Sequence, residues 1–233
     1  MKHISAIVVA AGKGLRFKSK LPKPVAKLNS KPIIIYSLEI ISKHPLISEI
    51  ILVVNKENQK AIVRETRNYH IGKIFKVVTG GRRRQDSVHN GLKEVDKKAD
   101  FVLIHDAARP LIDSRILSSV INEASSSGAA IVGVPVKATI KKATRPQGHK
   151  VTSKAIVKET LDRNSLWEIQ TPQVFDKNLI LKAFDKFGKI HVTDDAMLVE
   201  KLGRKISIVL GSYRNIKITT PEDLSLAEAI LKI

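Results

Sequence analysis

Two short stretches of the chain carry the residue types that phosphate chemistry needs. The first is Ala10-Ala11-Gly12-Lys13-Gly14-Leu15-Arg16, followed by Leu21-Pro22-Lys23-Pro24. Glycines let backbone N–H groups approach a phosphate chain closely, and Arg16 and Lys23 bring two cations to the same loop. A pentacoordinate phosphorus gathers negative charge on its equatorial and leaving oxygens, and fixed cations stabilise that charge in a site shielded from water. Neither standard nucleotide loop fits. Phe17 stands where a dinucleotide fingerprint needs another glycine, and no Walker-type loop is present. A solvated basic loop is the alternative, because Lys13, Lys18 and Lys20 crowd the same stretch.

The second stretch is His105-Asp106-Ala107-Ala108-Arg109-Pro110, directly after the apolar run Val102-Leu103-Ile104. It puts an acid and a base at the carboxyl end of a buried strand, where open α/β sheets bind ligands. Asp106 can hold a ribose hydroxyl, a substrate hydroxyl or a Mg²⁺ ion, and Arg109 can neutralise it or bind phosphate. A structural ion pair between the two is the alternative. A third cluster, Arg82-Arg83-Arg84, follows Gly80-Gly81 in a predicted loop before a helix, where it can face an anion. Asp194-Asp195 looks like a metal pair, but it opens a predicted helix, and capping is the preferred reading.

The elements that must position these groups alternate between β-branched runs and helical stretches, the pattern of an α/β fold. Ile4–Val9, Ile50–Val54, Ile74–Thr79, Phe101–Ile104 and Ala130–Val134 read as strands covered on both faces. Helices are expected from Pro32, over Glu57–Tyr69 and Arg84–Val95, and over Ser114–Ser125 before Gly128. Crossovers of that length imply parallel strands. After Pro135 the rhythm changes, and Thr139–Thr144 with Val151–Lys158 reads as an inserted β-hairpin. Helices return at Lys177–Lys186 and Asp195–Leu202, then a strand at Ile206–Leu210. A last helix is capped by Thr220, with Pro221 in its first turn and Glu222 and Asp223 favouring its positive end.

The 233 residues suffice for one α/β domain with a large core. Apolar runs are short and no signal-like segment opens the chain, so a soluble, cytoplasmic protein without membrane contact is expected. The absence of cysteine excludes disulfides, thiolate metal sites and a cysteine nucleophile. The formal net charge of +19 favours anionic partners in general. It is spread along the chain, much of it as Lys on predicted helix faces, and composition bias explains most of it. Nucleic acid is a disfavoured partner, because aromatics make up only 4% of residues and offer few stacking platforms.

Ala10-Ala11-Gly12, Gly14, Arg16, Pro22-Lys23, Asp86-Ser87-Val88 and His105-Asp106-Ala107-Ala108-Arg109-Pro110 occur here in one ordered set. So do Asp162-Arg163-Asn164, Leu166-Trp167, Thr171-Pro172-Gln173, Thr193-Asp194-Asp195-Ala196 and Asn215-Ile216-Lys217-Ile218-Thr219. Together they resemble the 2-C-methyl-D-erythritol 4-phosphate cytidylyltransferase family over essentially the whole chain. The resemblance implies a Rossmann-like, mostly parallel nucleotidyltransferase sheet with helices on both faces. It implies a single domain over 1–233, whose β-arm at about 137–160 reaches a second copy in a homodimer. The implied activity is transfer of CMP from CTP to methylerythritol phosphate with release of pyrophosphate, a step of non-mevalonate isoprenoid biosynthesis, with Mg²⁺ bound mainly through the CTP phosphates.

By the same likeness, Arg16 and Lys23 stabilise the transition state, and Arg163 and Lys217 join them in the catalytic set. Ala10, Ala11, Gly12, Gly14, Gly81, Ser87 and Asp106 line the CTP site. Asp106, Arg109, Thr139, Arg163, Thr171 and Lys217 hold the acceptor, with Asp106 the one candidate metal ligand. His105 reads as a hydrogen-bonding strand-end residue, since an acceptor phosphate is already ionised at neutral pH. Trp167 reads as core or interface. Two positions depart from the family's pattern: Pro24 replaces a common Gln, and Arg82 stands where some relatives use an acid to read cytosine. A ribitol 5-phosphate cytidylyltransferase and a basic nucleic-acid-binding protein on a degenerate transferase scaffold are the alternatives.

Overall fold

A computed structural model describes residues 2–12, 14, 17, 22–144 and 155–233. The elements, in order, are β1 (Ile4–Ala10), β2 (Lys27–Leu28), β3 (Lys31–Pro32), α1 (Ile33–Lys43), β4 (Ile47–Val54), α2 (Gln59–Asn68), β5 (Ile74–Thr79) and α3 (Arg84–Leu92). Then come β6 (Phe101–Asp106), α4 (Ser114–Ser127), β7 (Ala129–Pro135), β8 (Lys141–Ala143), β9 (Val157–Thr160), β10 (Trp167–Asp176), α5 (Lys177–Phe187), α6 (Ala196–Glu200), β11 (Ser207–Leu210) and α7 (Pro221–Ile230).

Seven strands form the central sheet in the order β11-β7-β10-β6-β1-β4-β5. Alternate residues of β1 face opposite layers, as strand geometry requires. Ile4, Ala6 and Val8 pack with Ile34, Leu38 and Ile41 of α1 and Leu117, Val120 and Ile121 of α4. Ile7 packs on the other face with Val88 of α3, Ile180 and Phe184 of α5 and Leu198 of α6. A third, smaller cluster joins Phe17, Leu28 and Ile33 to Ile218 and to Ala227 of α7, so the segment after the glycine loop is tied to the end of the chain.

All pairings within the central sheet are parallel except those of β10, which runs antiparallel to both β6 and β7. This strand was not foreseen. Its sequence contains Pro172 and polar Gln170 and Gln173, and the ladder to β7 shifts register between Gln170 and Gln173. A proline is tolerated at such an irregularity because the ladder there needs no N–H.

Helix ends follow their local chemistry. Asp113 accepts from Ile116 N–H at 2.9 Å to open α4, and Gly128, at φ +85°, closes it in the left-handed conformation. Thr220 and Asp223 form a reciprocal capping box at α7, with Pro221 in the first turn. Pro32 is the N-cap of α1 rather than its first residue, because it also pairs in the short β2–β3 hairpin. The arm is a two-stranded ladder of Lys141–Ala143 with Val157–Thr160. The expected arms were Thr139–Thr144 and Val151–Lys158, and residues 145–154, including the first half of the second arm, lie outside the described residues.

Candidate active site

From β1 the chain moves outward through β4 to β5, then returns to β6 on the other side of β1. Connections therefore diverge between β1 and β6, which leaves a crevice at the carboxyl ends of the strands. A cavity of about 970 Å³ lies there, lined by Ala10, Ala11, Gly12 and Gly14 after β1, Asn55 and Lys56 after β4, Thr79–Ser87 apart from Gln85 and Asp86, and Asp106–Ala108 after β6. Lys23, Pro24, Lys217 and Thr219 complete its rim. Among the described residues, the wall carries six cations, Lys23, Lys56, Arg82, Arg83, Arg84 and Lys217, against the single carboxylate of Asp106. Such a wall suits a polyanion.

The backbone of this wall requires glycine at two places. Gly14 has φ +62°, a conformation with little cost only for glycine. A Cβ on Gly80 would lie 2.2 Å from the Ala11 side chain and 2.8 Å from Ser87 Oγ, so only a bare backbone lets the β5 loop lie against the β1 loop. Next to it, Gly81 N–H donates to Ser87 Oγ at 3.1 Å, and that hydroxyl donates to Arg83 O. The first turn of α3 is thereby fixed with its N-terminus at the cavity, where the helix dipole favours negative charge.

Asp106 is the electrostatic centre. Its Oδ1 accepts from Arg84 Nε at 2.8 Å and its Oδ2 from Lys217 Nζ at 2.5 Å. Burial alone would raise its pKa, but the two cations and the hydrogen bonds they donate hold it well below the ordinary carboxylate range. Arg84 also donates from Nη1 to Asp195 Oδ2 at 2.7 Å. Burial opposes the charge of Arg84, and the two carboxylates outweigh it, raising its pKa further. Burial pushes Asp195 up, with Arg84 opposing.

The alternative of an ion pair between Asp106 and Arg109 does not hold: the partners of Asp106 are Arg84 and Lys217. Arg109 is buried and donates to the backbone carbonyls of Asn215, at 2.7 Å, and Ile169, at 3.3 Å. It ties the Lys217 segment to β10 and does not line the cavity. The metal-or-cap question at Asp194-Asp195 divides between the two residues. Asp194 accepts from Met197 N–H and caps α6, whereas Asp195 turns inward to Arg84.

His105 and Thr171 support the site from behind. Thr171 Oγ1 accepts from Asp106 N–H at 3.1 Å and contacts His105 Nδ1 at 3.2 Å, while His105 Nε2 reaches Arg109 O at 3.2 Å. A carbonyl only accepts, so Nε2 carries the imidazole proton and Nδ1 accepts from the Thr171 hydroxyl. Burial, partly offset by Asp106, lowers the His105 pKa to about 4, leaving it neutral at pH 7. This matches the hydrogen-bonding role expected for His105. Thr171 holds the backbone of Asp106 and is not on the cavity wall.

The predicted residues thus fall into three groups. The structure brings Ala10, Ala11, Gly12, Gly14, Lys23, Gly81, Ser87, Asp106 and Lys217 to one cavity. It places Arg109 and Thr171 beneath it. Thr139 and Arg163 sit exposed at the base of the arm, where Arg163 Nη1 donates to Lys137 O at 3.1 Å. Arg16 lies outside the described residues. Trp167 is partly exposed at the start of β10, away from the cavity. Pro24 occupies a 3-10 turn, Lys23–Val25, in which Val25 N–H bonds back to Pro22 O, so the missing Pro24 donor costs little. Arg84, Gly80, Asn55 and Lys56 were missed as site residues. The Arg triplet and Gly-Gly pair signalled the first two, whereas Asn55 and Lys56 belong to no motif, although they directly follow the strand expected to end at Val54.

Among the described residues no cluster of three His, Asp or Glu side chains forms a metal cage. Both oxygens of Asp106, the one candidate metal ligand, accept from cations, Arg84 and Lys217. A divalent cation would find one carboxylate on the described wall, that of Asp106, and would depend mainly on the oxygens of an anionic ligand. Nor is any helix among the described residues long and apolar enough to cross a membrane.

Comparison with known proteins agrees with this geometry. Residues 4–233 match the family model for 2-C-methyl-D-erythritol 4-phosphate cytidylyltransferase. A cytidylyltransferase of that name from Clostridioides difficile is 44% identical over 231 residues, covering 98% of this chain and 94% of the relative. One from Syntrophus aciditrophicus is 45% identical over 233 residues, covering 98% and 96%. Among solved structures, 4-diphosphocytidyl-2C-methyl-D-erythritol synthase from Anaerococcus prevotii superposes with a TM-score of 0.84 at 35% identity, covering 100% of this chain and 97% of that one. The Francisella tularensis cytidylyltransferase gives 0.78 at 31% identity, covering 98% and 100%. A cation-lined crevice at the switch point of an α/β sheet, matched end to end in sequence and in structure, leads to one conclusion: the chain belongs to the 2-C-methyl-D-erythritol 4-phosphate cytidylyltransferase family and is a CTP-dependent nucleotidyltransferase.

Proposed function

We propose that the chain performs its family's transfer through the cavity residues described above. A phosphate oxygen of 2-C-methyl-D-erythritol 4-phosphate attacks the α-phosphorus of CTP in line, the bond to the β-phosphate oxygen breaks, and pyrophosphate leaves. The product is 4-diphosphocytidyl-2-C-methyl-D-erythritol. No protein nucleophile is needed, so catalysis is positioning and charge neutralisation. The glycine loop, Gly80, Gly81 and the N-terminus of α3 receive the triphosphate. Arg16 and Lys23 stabilise the charge that develops at phosphorus. Lys217 receives the acceptor phosphate, and Asp106 its hydroxyls. A divalent ion, when bound, neutralises triphosphate oxygens. The single observation that carries the reading is the wall of six cations around one carboxylate.

Thr139 and Arg163 enter the reading through a second subunit. Ile156 and Val157 of the arm are 69% and 57% exposed, apolar surface that a partner would cover. In a homodimer the arm of one copy would bring Thr139 and Arg163 to the cavity of the other. A cytoplasmic setting belongs to the same reading, since the cysteine-free chain gains nothing from an oxidising compartment.

The test is pyrophosphate release with Mg²⁺ and CTP in the presence of methylerythritol 4-phosphate, ribitol 5-phosphate or no acceptor, with ATP, GTP and UTP as controls. Release only with CTP and methylerythritol 4-phosphate is expected. Release with ribitol 5-phosphate alone would retain the chemistry and overturn the acceptor. Silence with every pair would overturn the reading.

A further inference from the structure

Four charged side chains form an unbroken row from the interior to the cavity wall: Asp195, Arg84, Asp106 and Lys217. The links are Arg84 Nη1 to Asp195 Oδ2 at 2.7 Å, Arg84 Nε to Asp106 Oδ1 at 2.8 Å, and Lys217 Nζ to Asp106 Oδ2 at 2.5 Å. They come from four separate places in the chain: the entry to α6, the first turn of α3, the end of β6 and the segment after β11. The inner end is buried and the outer end partly exposed. Asp195 is fully buried, whereas the Lys217 side chain is 39% exposed.

Asp195 does not line the cavity, and its Oδ1 has no hydrogen-bond partner among the described residues. A fully buried carboxylate with one oxygen unsatisfied is a poor way to stabilise a core; an apolar side chain of similar volume commonly serves as well or better. What Asp195 does accomplish is to fix the guanidinium of Arg84, whose planar fork reaches two different carboxylates at once. Arg84 in turn fixes Asp106 from the side opposite Lys217.

We propose that Asp195 and Arg84 are positioning residues that let Lys217 exchange Asp106 for the phosphate of the acceptor. In the closed row Lys217 is held by Asp106. When a phosphate reaches the wall, the ammonium moves to it, and Asp106 stays charge-compensated because Arg84 remains in place. The Oδ2 that Lys217 vacates then points into the cavity and accepts a hydroxyl of the same acceptor. Without the Asp195 anchor, Arg84 is free to swing toward the incoming phosphates, Asp106 loses its fixed counter-charge, and Lys217 is retained as its partner. The inference rests on the family reaction proposed above and assigns new work to two residues that the reaction itself does not name.

Asp195→Asn is nearly isosteric and sits outside the cavity, so its effect must travel through Arg84. Initial rates would be measured with CTP and methylerythritol 4-phosphate for the wild type, Asp195→Asn, Lys217→Gln and the double variant. The acceptor KM should rise about tenfold or more in Asp195→Asn, a loss in keeping with displacement of a positioned group, while the CTP KM stays within about twofold. In the Lys217→Gln background the same substitution should change the acceptor KM by less than about twofold, since no ammonium remains to be released. Equal effects in both backgrounds, or an unchanged acceptor KM, would overturn the proposal, because a purely structural role predicts additivity. If circular dichroism shows Asp195→Asn unfolded, Arg84→Lys replaces it, keeping the charge but unable to span both carboxylates, and the readout is then the loss of its effect on the acceptor KM in the Lys217→Gln background. A wild type that turns over with normal KM effects absent in the variants sinks the row alone. A wild type silent with this acceptor sinks the family reaction and the row with it.

Discussion

The cavity wall and the arm carry parts of one proposed site under opposite physical conditions. At the wall, Arg84 and Asp106 are locked by short hydrogen bonds and backed by the fully buried Asp195 behind it. The arm strands β8 and β9 are exposed along their whole length, and their ion pair, Lys142 with Glu159 at 3.4 Å, leaves both side chains more than half exposed, at 64% and 54%. The wall is therefore preorganised by its own fold. The arm has no core of its own, and its geometry at a neighbouring site must come from the surface it lies on. On the proposed reading, the groups that would handle CTP belong to the preorganised part, while Thr139 and Arg163 would depend on assembly.

The sharpest challenge to that contrast is Lys23→Ala on the wall. It should reduce turnover about 10²-fold or more with the fold intact by circular dichroism, as for the loss of a transition-state donor; near-normal turnover would remove Lys23 from that role. Next comes mixing. If wall and arm act across two subunits, equal amounts of Lys23→Ala and Arg163→Ala protein, each nearly inactive alone, should regain about a quarter of wild-type activity after subunit exchange. Random pairing makes half of the dimers mixed, each with one intact site. No recovery would place both groups on one chain's site.

A smaller effect separates the buried from the exposed region by pH. His105 is neutral in the fold, its pKa lowered to about 4 chiefly by burial, against about 6.5 in an unfolded chain. Below pH 6.5 the unfolded chain takes up a proton that the folded one refuses. The stability contributed by this difference is thus complete above about pH 6.5 and lost as pH falls toward 4, in total about 3 kcal/mol. Denaturant unfolding across this range should show a flatter pH slope for His105→Gln than for the wild type. The smallest effect belongs to the arm: Lys142→Ala should alter unfolding stability by less than about 0.5 kcal/mol, because an exposed pair contributes little.

Several elements were legible from pattern alone. Ile74–Thr79 is β5 with the same bounds, and the expected helix-end residues Gly128 and Thr220 lie where local hydrogen bonding needs them. The glycine loop, Lys23, Ser87, Asp106 and Lys217 were each recognisable from their motifs, and nine of the expected site positions meet at one cavity. β10 was hidden because Pro172 and two glutamines interrupt its apolar alternation. Arg84 was hidden for another reason. In sequence it is one of three adjacent arginines, and only the fold distinguishes it: Arg83 pairs with Asp86 one turn along its own helix, while Arg84 turns inward to carboxylates 22 and 111 residues away.

The sequence by itself determined the α/β alternation, the helix caps and the presence of a phosphate-handling loop, because each depends on neighbours a few residues apart. Only the tertiary structure decided which cation meets which carboxylate. Asp106 could pair with Arg109 three residues on by proximity in the chain, yet it pairs with Arg84 and Lys217, because the parallel sheet brings the ends of β6, α3 and the segment after β11 to one crevice. Coulomb energy depends on distance through space and on the local dielectric, and neither quantity is written in sequence order.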